Sequence, residues 1–380
     1  MAVAILFGTF FLLLLIGVPV AFSLVTASLS TVLYLGLPSV AVVLQTAAGA
    51  STASLIAIPL LIFAGELMMR GGISDRLIAF AASLVGKAKG GLAQINVLAS
   101  LFFGGVSGSA IADVSAIGGT MIPQMVNRGY HRDFAVAASV SAALVALLVP
   151  PSHNLILYSA SAGGSISIAD LFAAGIGPAL LLTSALMLTS RIIAGRRGYA
   201  AEGFPGFAAV LTRMVAALPG LLLVALIFVG IRAGIFTAIE SAAIAVGYAT
   251  LVTGIVYRRL DRAVFREAVT GAARTAGLIL FVIGAAASFG WLLAYLQVPA
   301  AAVELLTSIT DNKIGILLLL NVVLLVLGTF MDLAPLIIIC TPIFLPVAKA
   351  FGIDPVHFGM ILVLNAGIGL ITPPVGSVLF

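Results

Sequence analysis

Three prolines recur along this chain at one constant spacing. When residues 122–137 (IPQMVNRGYHRDFAVA) are laid on residues 345–360 (LPVAKAFGIDPVHFGM), Pro123 falls on Pro346 and Gly129 on Gly352. The same ungapped register places Pro150 and Pro151 on Pro373 and Pro374, Gly105 on Gly328, and Ser109 on Asp332. Registered prolines of this kind identify two homologous halves. Proline lacks a backbone donor and its ring clashes with the preceding turn, so a Pro-Pro pair breaks the helix it enters. Each half therefore carries one helix that cannot be continuous.

Composition says what surrounds those broken helices. Of 380 residues, 62% are hydrophobic and 8% charged, and mean hydropathy is +1.28. Soluble domains carry roughly 25% charged residues, so the sequence reads as an all-α polytopic membrane protein. In lipid a broken helix leaves backbone groups unsatisfied, and it survives only where it lines a polar cavity. Residues 1–16 lack a basic n-region and a small-residue cleavage site, and read as a first span. The one cysteine, Cys340, excludes an internal disulfide and a cysteine-based metal site. The net charge of +5 sits in loops and reads as a topology signal, not a nucleic-acid surface. Neither H-E-x-x-H nor G-x-S-x-G occurs, so no intramembrane enzyme is indicated.

The halves parse alike. The first, 1–190, has spans at 1–16, 18–37 and 53–70, with a surface-bound segment at 38–52. A short helix at 74–86, an apolar stretch at 92–127, a broken span at 134–158 and a closing span at 169–190 follow. After a linker at 191–213, the second half, 214–380, has spans at 214–231, 235–257 and 276–296. A short helix at 299–309, an apolar stretch at 314–350 and a broken span at 356–380 complete it. The stretches 92–127 and 314–350 are too long for one span and are interrupted by GGVSGS (104–109) and GTFMD (328–332). Two arms of about 15 residues reach roughly 22 Å, short of the ~30 Å hydrocarbon core. Both stretches are expected to be re-entrant hairpins with small, polar tips. Phe380 matches Leu157, so the register leads to the expectation of one further span beyond 380, covering the outer face of 356–380.

Charge assigns sides. The base of the first hairpin carries Lys87, Lys89, Arg128 and Arg132 against Asp133, whereas Asp311, Lys313, Lys349 and Asp354 at the second cancel. By the positive-inside rule the first opens to the cytoplasm and the second to the outside. The loops around Arg191, Arg196, Arg197 and Arg213, and around Arg258, Arg259, Arg262 and Arg266, thread to the cytoplasm on the same scheme. The halves are then inverted repeats, a transporter architecture with its sites near the midplane. Neither the hairpins nor the broken spans carry Arg or Lys in their interiors. An anionic substrate must be held by half-helix N-termini, hydroxyls and bound cations, while freed carbonyls suit Na⁺. Ser107, Ser109, Ser152, Thr329 and Thr372 are the hydroxyls at the breaks.

The segments SGSAIADVSAIGG (107–119), IPLLIFAGELMMRGGIS (58–74), GIFTAIES (234–241), GTFMD (328–332), GIDPVHFG (352–359) and NAGIGLITPPVG (365–376) carry a resemblance. Together they look like the large membrane subunit of TRAP (tripartite ATP-independent periplasmic) transporters, over essentially the whole chain. The resemblance implies Na⁺-driven uptake of organic acids by an elevator motion. It also implies a small four-helix membrane subunit and a periplasmic binding protein that delivers the substrate. Two sodium sites are implied, each between a hairpin tip and the broken span of the same half. Carried over, one is Ser107, Gly108 and Ser109 with Pro151 and Ser152. The other is Gly328, Thr329, Met331 and Asp332 with Thr372, Pro373, Val375 and Gly376. Candidate substrate contacts are Ser109, Ser152, His153, Asn154, Thr329 and Thr372. The sequence departs from the family at PPSHN (150–154), where His153 and Asn154 replace a small apolar pair. MDLAP (331–335) shifts a proline, and GIFTAIES lacks one before Glu240.

Several residues admit two roles. His153 contacts substrate or is a hydrogen-bonded structural histidine; His131 and His357 sit at membrane boundaries. Asp332 ligates Na⁺ or caps the returning half-helix. Asp113, a carboxylate inside a returning arm, ligates or braces the hairpin. Glu66 and Glu240 brace helices or face a partner. A self-contained sodium-coupled carboxylate symporter would use the same inverted architecture; the quoted motifs favour the TRAP reading.

Overall fold

The computed structural model describes the chain except residues 86–89, 200–205, 310–311, 374–375, 377 and 379–380, and describes only the backbone of 307 and 309. Lys87, Lys89, Asp311, Pro374, Val375 and Phe380 thus lie outside the described residues. Every regular element among the described residues is helical. In chain order these are α1 (Ala2–Leu15), α2 (Val20–Tyr34), α3 (Val40–Ala50), α4 (Ala57–Arg70), α5 (Ile73–Val85) and α6 (Gly91–Ser107). Next come α7 (Ala110–Asp113), α8 (Gly119–Asn127), α9 (Arg132–Ala143), α10 (Val145–Leu148), α11 (His153–Ser161) and α12 (Ile168–Arg196). The chain continues through α13 (Phe207–Arg232), α14 (Ala238–Leu251), α15 (Arg262–Tyr295), α16 (Val298–Ile309), α17 (Lys313–Gly328), α18 (Leu333–Ala350) and α19 (Pro355–Leu370). A 3-10 turn, Ala53–Ile56, leads into α4, and π-helical turns occupy Val114–Gly118 and Val252–Val256.

Among the described residues, six helical segments are long and apolar enough to cross a bilayer, and the bent pair Arg132–Leu148 and His153–Ser161 makes a seventh with a 53° break. Their outward residues are apolar: Leu181 is 74% exposed and Leu188 60%. In water such a surface would drive association, whereas against acyl chains it is the expected face. Proline alone does not set the breaks. Pro123, Pro178, Pro219, Pro342 and Pro346 all sit inside helices that continue, whereas the Pro150–Pro151 pair lies between α10 and α11, where the helix is interrupted.

Three features differ from the sequence expectation. The span expected at 276–296 begins earlier, at Arg262, because Asp261 Oδ1 accepts the Val264 N–H at 2.7 Å and starts the helix. Residues 262–275 carry Ala, Arg and Glu at eight of fourteen positions and no proline, so the helix emerges from the apolar window without breaking. The returning arm α18 is long and apolar enough to cross by itself, whereas a shorter arm was expected. Helical backbone also enters 191–213 from both sides, to Arg196 and from Phe207.

The chain forms two compact units, each drawing on both halves of the sequence. The first comprises Met1–Ile56, Ile156–Ser167 and Arg274–Gly376. In it α1 packs on α2, and α17 and α18 pack on α19. α17 and α19 cross where a Cβ on Gly328 would stand 3.1 Å from the Gly369 Cα, so both positions need glycine. α19 is started by Asp354, whose Oδ1 accepts the Val356 and His357 N–H groups, with Pro355 in the first turn. Tyr158 donates to Pro355 O at 2.7 Å.

The second unit comprises Ala57–Leu155, Ile168–Ala273 and Ser377–Phe380. α4 packs along α14, and α6 packs against α5, α9 and α12. Its core includes Leu67, Met68, Leu77, Ala93, Phe103, Met121 and Ala245. Glu240 closes a capping box with Thr237 at the start of α14. Glu66 pairs with Arg70 at 3.0 Å, and Arg70 reaches Glu267 at 2.6 Å. Both acids act as helix braces.

Candidate functional site

In the second unit, α6 stops at Ser107 because Gly108 turns the chain with φ +61°, a left-handed conformation only glycine adopts at low cost. The Gly108 N–H donates to Gly104 O at 2.8 Å. Ser109 is the N-cap of α7, its Oγ accepting the Ala112 N–H at 3.4 Å. Ser107 Oγ accepts the Ser109 N–H at 3.4 Å. α8 then packs back on α6, giving the expected hairpin. Opposite this tip lies the break of the bent span: α10 ends at Leu148, Val149 is extended, the Pro150–Pro151 peptide is cis, and α11 resumes at His153.

Tip and break meet. Asn154 Nδ2 donates to Gly108 O at 3.0 Å and to Ser152 Oγ at 3.4 Å. A Cβ on Gly108 would lie 3.2 Å from His153 Nδ1, 3.3 Å from Pro151 O and 3.3 Å from the Ser152 Cα. Ser152 and Asn154 are buried, and His153 is half-buried. Ser107, Gly108, Ser109, Pro151, Ser152, His153 and Asn154 therefore form one cluster. It holds three hydroxyls and the carbonyls a broken helix leaves free, an oxygen donor set of the kind a hard monovalent cation accepts. Asn154 uses its amide to hold the tip.

Behind the tip, the hairpin arms are locked by buried polar pairs. Ser100 on α6 donates to Asp113 Oδ2 at 2.7 Å, with Asp113 1% exposed. Asp113 thus braces the hairpin, one of its two expected roles. Asn96, one turn before Ser100, donates from Nδ2 to Ser139 on α9 at 2.6 Å. The π-helical turn directly after Asp113 shifts the register of the returning arm.

The first unit holds the second tip. α17 ends at Gly328, and Asp332 caps α18 by accepting the Leu333 N–H at 2.9 Å. Thr329 Oγ1 donates to Val326 O at 2.8 Å, and Thr372 Oγ1 to Ile368 O at 2.7 Å. Each threonine oxygen keeps its lone pairs available. Gly376 N–H donates to Thr329 O at 3.4 Å, tying the tip to the chain after α19. Met331 is buried, whereas Pro373 and Asp332 are exposed. Gly328 thus meets Gly369 and Thr329 meets Gly376, while Thr372 hydrogen-bonds back along the end of its own helix; Val375 lies outside the described residues. Asn365 on α19 donates to Asn321 on α17, a pair the sequence reasoning did not single out. Its signal was an asparagine inside each of two apolar runs, LLLLNVVLL and ILVLNAG. Among the described residues no group of three His, Cys, Asp or Glu could hold a metal.

Comparison with known proteins agrees with this architecture. Residues 7–380 match the family model "Tripartite ATP-independent periplasmic transporter, DctM component". The chain is 34% identical over 380 residues to the 2,3-diketo-L-gulonate TRAP transporter large permease protein of Escherichia coli (strain K12), covering all of this chain and 89% of that protein. It is 36% identical over 369 residues to the sialic acid TRAP transporter large permease protein of Vibrio cholerae, covering 97% and 86%. In fold it is similar to the crystal structure of the Alcanivorax borkumensis YdaH transporter, with a TM-score of 0.61 at 17% identity over 89% of this chain and 79% of that one. With a helical bundle of apolar spans, interrupted hairpins and a proline-broken span, and with a family match along nearly its whole length, this chain belongs to the DctM component of the tripartite ATP-independent periplasmic transporters, a multi-pass protein of the inner membrane.

Proposed function

We propose that the chain is the permease of a sodium-driven TRAP system that takes up a small organic carboxylate. The observation that carries this reading is the Asn154–Gly108 bond, which seats a hairpin tip against the open end of a broken span. A seated tip presents N–H groups at the N-terminus of the returning arm, where an anion is favoured, and carbonyls at the break, where a cation is favoured. The hairpin and broken-span interiors hold no Arg or Lys. A carboxylate there needs co-bound cations for charge compensation, which couples the two flows. The proposed Na⁺ ligands are Ser107, Gly108, Ser109, Pro151 and Ser152 in the first cluster and Gly328, Thr329, Met331, Asp332, Thr372, Pro373 and Gly376 in the second, with Val375, outside the described residues, assigned from the sequence alone. The substrate class follows relatives named for 2,3-diketo-L-gulonate, sialic acid and C4-dicarboxylate, all organic acids. The partners are a small four-helix membrane subunit and a periplasmic binding protein, and transport proceeds by an elevator motion of the inverted repeats.

The test is uptake of labelled organic acids into proteoliposomes holding the permease and its small subunit. Uptake is expected to need both an inward Na⁺ gradient and the binding protein outside. Unchanged uptake with choline in place of Na⁺ removes the sodium coupling. Sodium-driven uptake without any binding protein makes the chain a self-contained symporter.

A further inference from the structure

In the second unit, the end of α4, the start of α5 and the turn between Val256 and Arg262 form one basic corner. Arg76 is fixed there. Its Nη1 donates to Gly71 O at 3.3 Å and Gly72 O at 2.7 Å, and its guanidinium lies 3.7 Å over the Tyr257 ring. Arg258 takes φ +52°, and the Arg259 N–H donates to Thr253 O at 3.0 Å, which turns the Arg259 side chain back over Gly72. A Cβ on Gly72 would be 2.5 Å from Arg259 Nη1 and 3.2 Å from Arg76 Nη1, so the two nitrogens are at most about 6 Å apart. Like charges this close repel, and an anion held between them would offset that repulsion. The nearby acids are directed elsewhere. Glu66 and Glu267 pair with Arg70, Asp261 caps α15, and Asp75 is exposed in the first turn of α5. Arg259 is exposed and has no acidic partner among the described residues.

We propose that this corner binds a phosphate-type anion bridged between Arg76 and Arg259, either the phosphodiester of an anionic phospholipid or free phosphate. Guanidinium groups suit phosphate because their N–H groups match its oxygens in pairs. Ile255 and Val256, 68% and 58% exposed just before the turn, offer acyl chains an apolar surface beside the head group. This site is separate from the hairpin tips and does not depend on their reading.

The test is native mass spectrometry of the full chain in detergent, titrated with phosphatidylglycerol, phosphatidylcholine or inorganic phosphate. Phosphatidylglycerol is expected to bind in preference to phosphatidylcholine, and Arg259→Gln to weaken it about tenfold, the loss of one charged hydrogen-bond partner. Arg262→Gln removes the same charge outside the pair and should change affinity less than about twofold. Displacement of the lipid by millimolar inorganic phosphate, lost in Arg259→Gln, assigns the site to free phosphate with the arginine pair intact. Equal phosphatidylglycerol binding by the wild-type and Arg259→Gln proteins, or equal loss in both variants, overturns the proposal.

Discussion

Asn154 does two things with one amide group: it caps the open side of the proline break through Ser152, and it holds the hairpin tip through Gly108 O. Replacing it by alanine leaves a buried carbonyl without its donor, at a cost of about 1–3 kcal/mol. Asn154→Ala should therefore lower the detergent melting temperature and abolish sodium-dependent uptake together; uptake with unchanged sodium affinity would separate the tip from the site. Ser100→Ala should cost a similar ~1–3 kcal/mol, because it removes the one donor Asp113 Oδ2 has in the hairpin. Its measurement is thermal unfolding, with Ser100→Thr expected to restore most of the loss. Bulky apolar replacements at Ser109 or Thr372 are expected to end Na⁺-dependent uptake while the protein still inserts. Retained sodium dependence in both would refute those two hydroxyls as ligands.

At the level of helices, α17 and α19 approach backbone to backbone at Gly328 and Gly369. Gly328→Ala should force them apart and cost about 1–3 kcal/mol by overpacking. Gly277→Ala, where nothing lies within 4 Å of the new methyl, should be neutral or stabilise by up to ~1 kcal/mol through helix propensity. Comparing the two melting temperatures checks the contact; equal effects would refute it. These elements also show what could be read in advance. The break at Pro150–Pro151, the tip at Gly108 and the cap at Asp332 were legible because each depends on residues adjacent in the chain. The early start of α15 at Arg262 was not, because hydropathy marks where lipid begins and not where helical hydrogen bonding begins. The Ser100–Asp113, Asn96–Ser139 and Asn321–Asn365 pairs were hidden for a different reason. Each joins two helices, and only packing decides which buried polar groups face one another.

For the molecule as a whole, the compact units interleave segments from both sequence halves. A repeat found by alignment reports ancestry, whereas a compact unit reports which apolar faces bury one another, and the two need not coincide. The inverted arrangement itself has a direct check. Cys340 is 1% exposed, so the native chain contributes little labelling background. A cysteine placed at Arg128 should react only with cytoplasmic thiol reagent, and one at Lys313 only with external reagent. Reaction of both from one side would refute the inversion. The seated tip at Gly108 bears on timing as well. A loop that must first find its shape slows association and surrenders conformational freedom when its ligand arrives. Here Asn154 has already fixed that shape, so on the proposed sodium reading the ion would meet a finished cup. Its capture should be limited by the shedding of its own hydration water, with little temperature dependence from ordering the protein.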